Sequence, residues 1–209
     1  MSEYYVPAGA GEAEYTEKRS RFLGHVRPVE SEEEARAFIA DMKKKYYDAR
    51  HNCWCYLLKD GPERYSDDGE PQGTAGIPML EVFRREGVTN VVCVVTRYFG
   101  GILLGTGGLL RAYTKSAKDA LSDAGVSAVR RWVCVDVQCS YALLERVKNA
   151  ASALSGAVDA MDYGADVTLH LLLPEEAADD FETQLRDLSA GTAQAVITGE
   201  ALRAVPVEG

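Results

Sequence analysis

The residues best suited to chemistry crowd into thirteen positions, Ser66-Asp-Asp-Gly-Glu-Pro-Gln-Gly-Thr-Ala-Gly-Ile-Pro78. Asp67, Asp68 and Glu70 bring acid groups, and Gly69, Gly73 and Gly76 let a backbone take positive φ or approach another surface closely. Thr74 to Pro78 then sets free N–H groups at a helix start, where an anion can dock. A second loop, Arg97-Tyr-Phe-Gly-Gly-Ile-Leu-Leu-Gly-Thr-Gly-Gly108, repeats the design with Gly100, Gly101, Gly105, Thr106, Gly107 and Gly108. It lacks the Gly-Lys-Ser/Thr of a P-loop and the third glycine of a dinucleotide fingerprint. The two loops therefore suggest either phosphate binding or close packing against each other.

Beyond the second loop, Leu109, Leu110, Tyr113, Ala117, Ala120, Leu121 and Ala124 form an apolar stripe of helical spacing. Arg111, Lys115 and Lys118 share another face, and with Arg97 and Tyr98 they would offer cations and a stacking ring to an RNA backbone. A solvated helix face is the plainer alternative, and the nearby acids work against RNA. His51 and Cys53 raise a Cys–His nucleophile or a His/carboxylate metal site. His25 and His170 are isolated, so no metal and no cofactor is expected. Cys53-x-Cys55 and Cys134-x4-Cys139 do not have zinc spacing, and five cysteines are not an even disulfide framework, so they read as buried apolar residues.

The elements that must position these residues fall into two sets. At 46% hydrophobic and 26% charged, the 209-residue chain has the composition of a soluble globular protein, not of disordered, collagenous or coiled-coil sequence. Residues 1–130 are nearly neutral at −1, whereas 131–209 carry −8 of the total −9, which places a domain boundary near Arg130, within a joining segment from Gly125 to Arg131. The first domain is expected to alternate strands (Arg21–Val29, His51–Leu58, Val91–Tyr98) with helices, the first starting at the capping box Ser31-Glu-Glu-Glu34, as an α/β layer structure. The second reads β-α-β-β-α-β, a ferredoxin-like unit, with strands at Trp132–Cys139, Ala157–Tyr163, Val167–Leu173 and Thr192–Leu202 and helices after Ser140 and Pro174. The longest nearly uncharged run, Tyr98–Leu110, is too short and too glycine-rich to span a bilayer, and Met-Ser-Glu-Tyr-Tyr lacks a secretory signal pattern. A cytoplasmic protein is expected.

The runs Ser20-Arg-Phe22, Asp48-Ala-Arg-His-Asn-Cys-Trp54, Ser66 to Pro78 and Val95 to Tyr113 resemble the signature of the IMPACT/YigZ family, in its two-domain bacterial form. That resemblance implies a first domain similar to domain IV of elongation factor G and a second similar to its domain V. It also implies a non-enzymatic, translation-associated regulator that binds RNA, the ribosome or a translation factor, with no DNA-specific readout. It marks Asp67 to Pro78 and Arg97 to Arg111 but assigns them no catalytic role. The alternative is a small-molecule hydrolase or phosphate-handling enzyme that uses the Asp67–Pro78 loop.

Overall fold

The computed structural model describes residues 3–206. In chain order the elements are β1 (Tyr4–Pro7), β2 (Gly11–Glu17), β3 (Ser20–Pro28), α1 (Glu32–Lys45), β4 (His51–Leu57), β5 (Glu63–Ser66), α2 (Gly76–Arg85), β6 (Val91–Tyr98), α3 (Gly105–Ala124) and β7 (Val126–Cys139). There follow α4 (Leu144–Ala153), β8 (Ala157–Tyr163), β9 (Val167–Pro174), a 3-10 turn Glu175–Ala177, α5 (Ala178–Ser189) and β10 (Ala195–Pro206). They divide into two compact units, Tyr4–Ala128 and Val129–Val205, the latter together with Glu3. The expected joining segment from Gly125 to Arg131 is strand from Val126 onward.

Strand β6 is the axis of the N-terminal unit. Its apolar run Val91–Val95 leaves no polar face, and the sheet order β2-β3-β6-β4-β5 puts it in the middle. Val92 and Val94 pack under α1 with Ile39 and Tyr56. Val91, Cys93 and Val95 point the other way, toward α2 and α3, with Phe22, Phe83 and Tyr113. Helices interleave with strands as expected, yet the pairings along this sheet are antiparallel. The reason is that the β3–α1–β4 crossover leaves a gap between its two strands, and β6 fills it running the opposite way. The unit is therefore α+β, not a parallel α/β layer. Ser31 caps α1 as its sequence suggests: Glu34 N donates to Ser31 Oγ at 3.2 Å. Helix α3 lies unusually close to the sheet, because Gly11 and Gly24 face it. A Cβ on Gly11 would sit 2.2 Å from Ala120 O, and one on Gly24 2.6 Å from Ser116 O.

The C-terminal unit has the expected element order, with strands arranged β10-β7-β9-β8 and the helices between them in sequence. Phe181, Leu185, Val147 and Ala151 close its core against Val135, Val137, Leu169 and Leu171. Helix α4 begins at Leu144, after a turn, so Ser140 does not cap it. The whole chain is thus a mixed α+β protein of two units, and among the described residues no helix is long and apolar enough to cross a membrane.

Candidate functional site

Each carboxylate of the first glycine-rich loop already has partners. Asp67 accepts three backbone N–H groups, from Gly73 (2.8 Å), Ala75 (3.1 Å) and Gly76 (2.8 Å). The amides at the start of α2, which the sequence offers to an anion, are thus filled by the chain's own acid. Asp68 accepts from Lys43 Nζ (2.8 Å) and from Asn52 N (2.7 Å), and its carbonyl receives His51 Nδ1–H at 2.8 Å. Glu70 turns inward. Its Oε1 accepts from Arg97 Nη1 at 2.7 Å and from Tyr113 Oη at 2.9 Å, and His51 Nε2 lies 4.0 Å away. Burial, reinforced by Cys53 and Glu70, pushes the Tyr113 hydroxyl far above its ordinary range, so it stays a neutral donor. Thr74 turns its hydroxyl back to the Pro71 carbonyl at 2.6 Å.

Arg97 is 5% exposed and belongs to this buried network, not to an exposed basic ridge. Strand periodicity explains it: on β6, Arg97 follows Cys93 and Val95 onto the face that packs under α2 and α3. Its guanidinium stands 5.4 Å from the Phe22 ring and 5.5 Å from the Phe99 ring, with Nη2 near Ser20 Oγ at 3.3 Å. The other basic candidates lie elsewhere. Arg111 sits in the second turn of α3, with its side chain beside Gly107 and no ion pair among the described residues. Lys115 pairs with Asp119 at 2.8 Å, and Lys118 lies 3.8 Å from Glu86. Tyr98 is half-buried and donates to Asp48 at 2.8 Å. Leu110, assigned to the buried stripe, is exposed, while Ala112 and Ser116 are buried instead. The Cys–His pair does not form: Cys53 Sγ–H points at the Asp67 carbonyl at 3.0 Å, and burial pushes its thiol well up, which leaves it inert.

The second glycine-rich loop is the open one. Helix α3 starts at Gly105, whose φ of 72° is left-handed, and Thr106, Gly107 and Gly108 continue its first turn, which no side chain caps and where no acid stands. Gly100 packs against the β2–β3 turn so closely that a Cβ there would meet Arg19 C at 2.1 Å, and Gly101 has a positive φ of 82°. This contact brings the exposed turn residues Lys18 and Arg19 to the loop. The two loops do converge. Between them is a cleft of about 380 Å³, walled by Gly69, Glu70 and Pro71 on one side and Phe99, Leu103, Leu104, Gly105 and Thr106 on the other, with Arg50, His51 and Arg97 at its base and edge. Leu103 is 83% exposed at the rim.

This arrangement, two loops clasped over a buried Arg–Glu–Tyr network, occurs in the part of the chain, residues 18–121, that matches the family described as Impact N-terminal domain. Residues 137–192 match a second family, described as Domain of unknown function (DUF1949). The protein called IMPACT family member YvyE of Bacillus subtilis is 35% identical over 193 residues, 91% of this chain and 89% of its own. The chain belongs to the IMPACT family. IMPACT family member YigZ of Escherichia coli is 35% identical over 198 residues, 93% of this chain and 97% of its own. Protein IMPACT of Mus musculus is 34% identical over 105 residues, 48% of this chain and 33% of that protein. A solved structure described as a hypothetical protein superposes with a TM-score of 0.59 at 34% identity, over 94% of this chain and 98% of that one.

The sequence analysis did not single out Lys18, Arg19, Arg50, Phe99 or Ser20 as site residues. The parity of β6 marks Arg97 as inward, but no local pattern announces that a hairpin turn will abut Gly100.

Proposed function

We propose that this IMPACT family member is a non-enzymatic, translation-associated regulator that binds RNA through the rim of the N-terminal cleft. The observation that carries the proposal is that Lys18, Arg19, Arg50 and Arg111 are exposed, have no ion pair among the described residues, and gather around one loop that also presents Phe99. Uncompensated cations beside an exposed ring suit a single-stranded backbone and an unstacked base. The local positive charge counts for more than the overall −9, whose acidity lies mostly after residue 130. Lys115 and Lys118 extend the cationic path along α3, and their exposed pairs with Asp119 and Glu86 are weak enough for a phosphate to replace. The likeness to elongation-factor domains IV and V that the family resemblance implies would give this RNA a translational setting, and it is in the cytoplasm that the protein would meet it. The enzymatic alternative is the weaker reading, because Asp67, Asp68 and Glu70 are all engaged in holding the loop.

The test is a salt titration of binding to a single-stranded RNA of roughly 20 nucleotides. Four phosphate contacts predict a log–log slope near −2.8, hence about fiftyfold weaker binding between about 50 and 200 mM salt. Arg19→Glu with Arg50→Glu and Arg111→Glu should abolish binding, and Lys115→Glu with Lys118→Glu should weaken it less. Salt-independent binding, or none, refutes the proposal.

A further inference from the structure

We infer that the cleft takes a terminal phosphate monoester attached to a nucleoside: the phosphate sits at the start of α3 and the base lies on the Phe99–Leu103 side. This inference rests on the proposed RNA-binding function and sharpens it from a backbone to a chain end. Three observations converge. First, the cleft has two chemically different halves: Phe99, Leu103, Leu104 and Pro71 are apolar, whereas Arg50 and the uncapped first turn of α3 attract anions. Second, two buried polar groups that line it have bonding capacity to spare. His51 is 9% exposed; its Nδ1 is committed to the Asp68 carbonyl, which leaves Nε2 with no hydrogen-bond partner and Glu70 4.0 Å away across the cleft wall. Arg97 is buried beside it, with Nε unpartnered. Third, a volume of about 380 Å³ matches one nucleotide and not a run of them.

The two glycine-rich loops then have different tasks. The first has its helix-start amides closed by Asp67 and serves as a wall, while the second keeps Gly105, Thr106 and Gly107 N–H groups available. An internal diester brings one negative charge and continues in both directions, whereas the cleft has room for about one nucleotide. A monoester ends there and meets the helix start and Arg50 together, and in its singly protonated form it can donate its P–OH to the lone pair of His51 Nε2, which an internal diester without a P–OH cannot do.

The experiment compares five probes on the full chain: one single-stranded RNA with a 5′-phosphate, with a 3′-phosphate and with hydroxyls at both ends, and adenosine monophosphate against adenosine. The expected result is about tenfold tighter binding of one phosphorylated RNA than of the hydroxyl RNA. The difference should vanish in Thr106→Glu, which places a carboxylate at the helix start from an exposed position, and persist in Thr106→Ser. Phosphate-dependent binding of adenosine monophosphate without RNA binding keeps the site, assigns it to a free nucleotide and refutes the RNA proposal. Equal affinity for all three RNAs, with no preference for the monophosphate over adenosine, overturns this inference and leaves the RNA proposal standing. No binding of any probe overturns both.

Discussion

Replacing Asp67 by alanine should unfold the N-terminal unit far more readily than its half-exposed position suggests. Its carboxylate accepts the N–H groups of Gly73, Ala75 and Gly76, and no side chain caps α2 in its place. Hydrogen bonds to a charged acceptor contribute about 1.5–3 kcal/mol each, and donors left without a partner cost the same order. Water can reach part of this loop and the three bonds share one group, so the low end applies, at about 3–5 kcal/mol in all. With an m-value near 2 kcal/mol per molar urea, the unfolding midpoint of that unit should fall by about 1.5–2.5 M. Asp67→Asn keeps one acceptor oxygen for Ala75 and Gly76 but turns an amide toward Gly73 N–H, for a loss of about 2 kcal/mol. The assay is urea denaturation followed by far-UV circular dichroism and by fluorescence of Trp54, which lies in this unit. If Asp67→Ala costs less than about 1 kcal/mol with an unchanged m-value, the claim that this acid organises the loop is wrong.

Other perturbations reach different parts of the structure. Glu70→Ala strands the buried Arg97 charge and should cost about 3–5 kcal/mol, whereas Glu70→Leu with Arg97→Met should recover most of it; chemical denaturation separates the two. Gly100→Ala drives a methyl into the Arg19 backbone and should lower stability by about 1–3 kcal/mol, as measured by the melting temperature. Hydrogen bonds to Asp162 and Asp136 raise the pKa of His170, so its stabilising effect is complete below the unfolded pKa and fades as pH climbs through the higher folded one. In NMR, the His170 ring should titrate above the usual midpoint near 6.5 and shift down in Asp136→Asn or Asp162→Asn. Cys53, Cys55 and Cys93 should resist a thiol reagent until the protein unfolds, because all three are buried; rapid labelling of the native chain counts against the packing described.

Where a local pattern governs an element, the sequence announces it. Val91–Tyr98 shows itself as a doubly buried strand, Ser31 as a cap and β8–β9 as a hairpin, because each depends on neighbours in the chain. Strands β2 and β5 are silent for a physical reason. β2 buries Gly11 and lays small or partly covered residues on α3 between exposed acids, and β5 is a short edge strand of mostly exposed side chains, so neither carries an apolar alternation. The antiparallel sheet is equally hidden, because only the insertion of β6 between β3 and β4 decides it. At the site, glycine and acid content marks both loops, but not that one of them is closed by its own carboxylate. Arg97 is the instructive residue: its type suggests solvent and its parity on β6 dictates the interior. Kinship covers the motifs from Ser20 to Tyr113, yet the Lys18–Arg19 turn meets the second loop at Gly100 through a contact that no spacing encodes.

Two hydrogen atoms, those standing where Gly11 and Gly24 have no side chain, let α3 rest on the sheet at Ser116, Ala120 and Ala124. A 20-residue helix is a stiff rod about 30 Å long. A methyl wedged under its far half therefore tilts the near end, and carries Leu104 and Gly105 toward or away from Pro71. The width of the cleft mouth is in this way adjustable from positions remote from it, with every lining side chain left as it is.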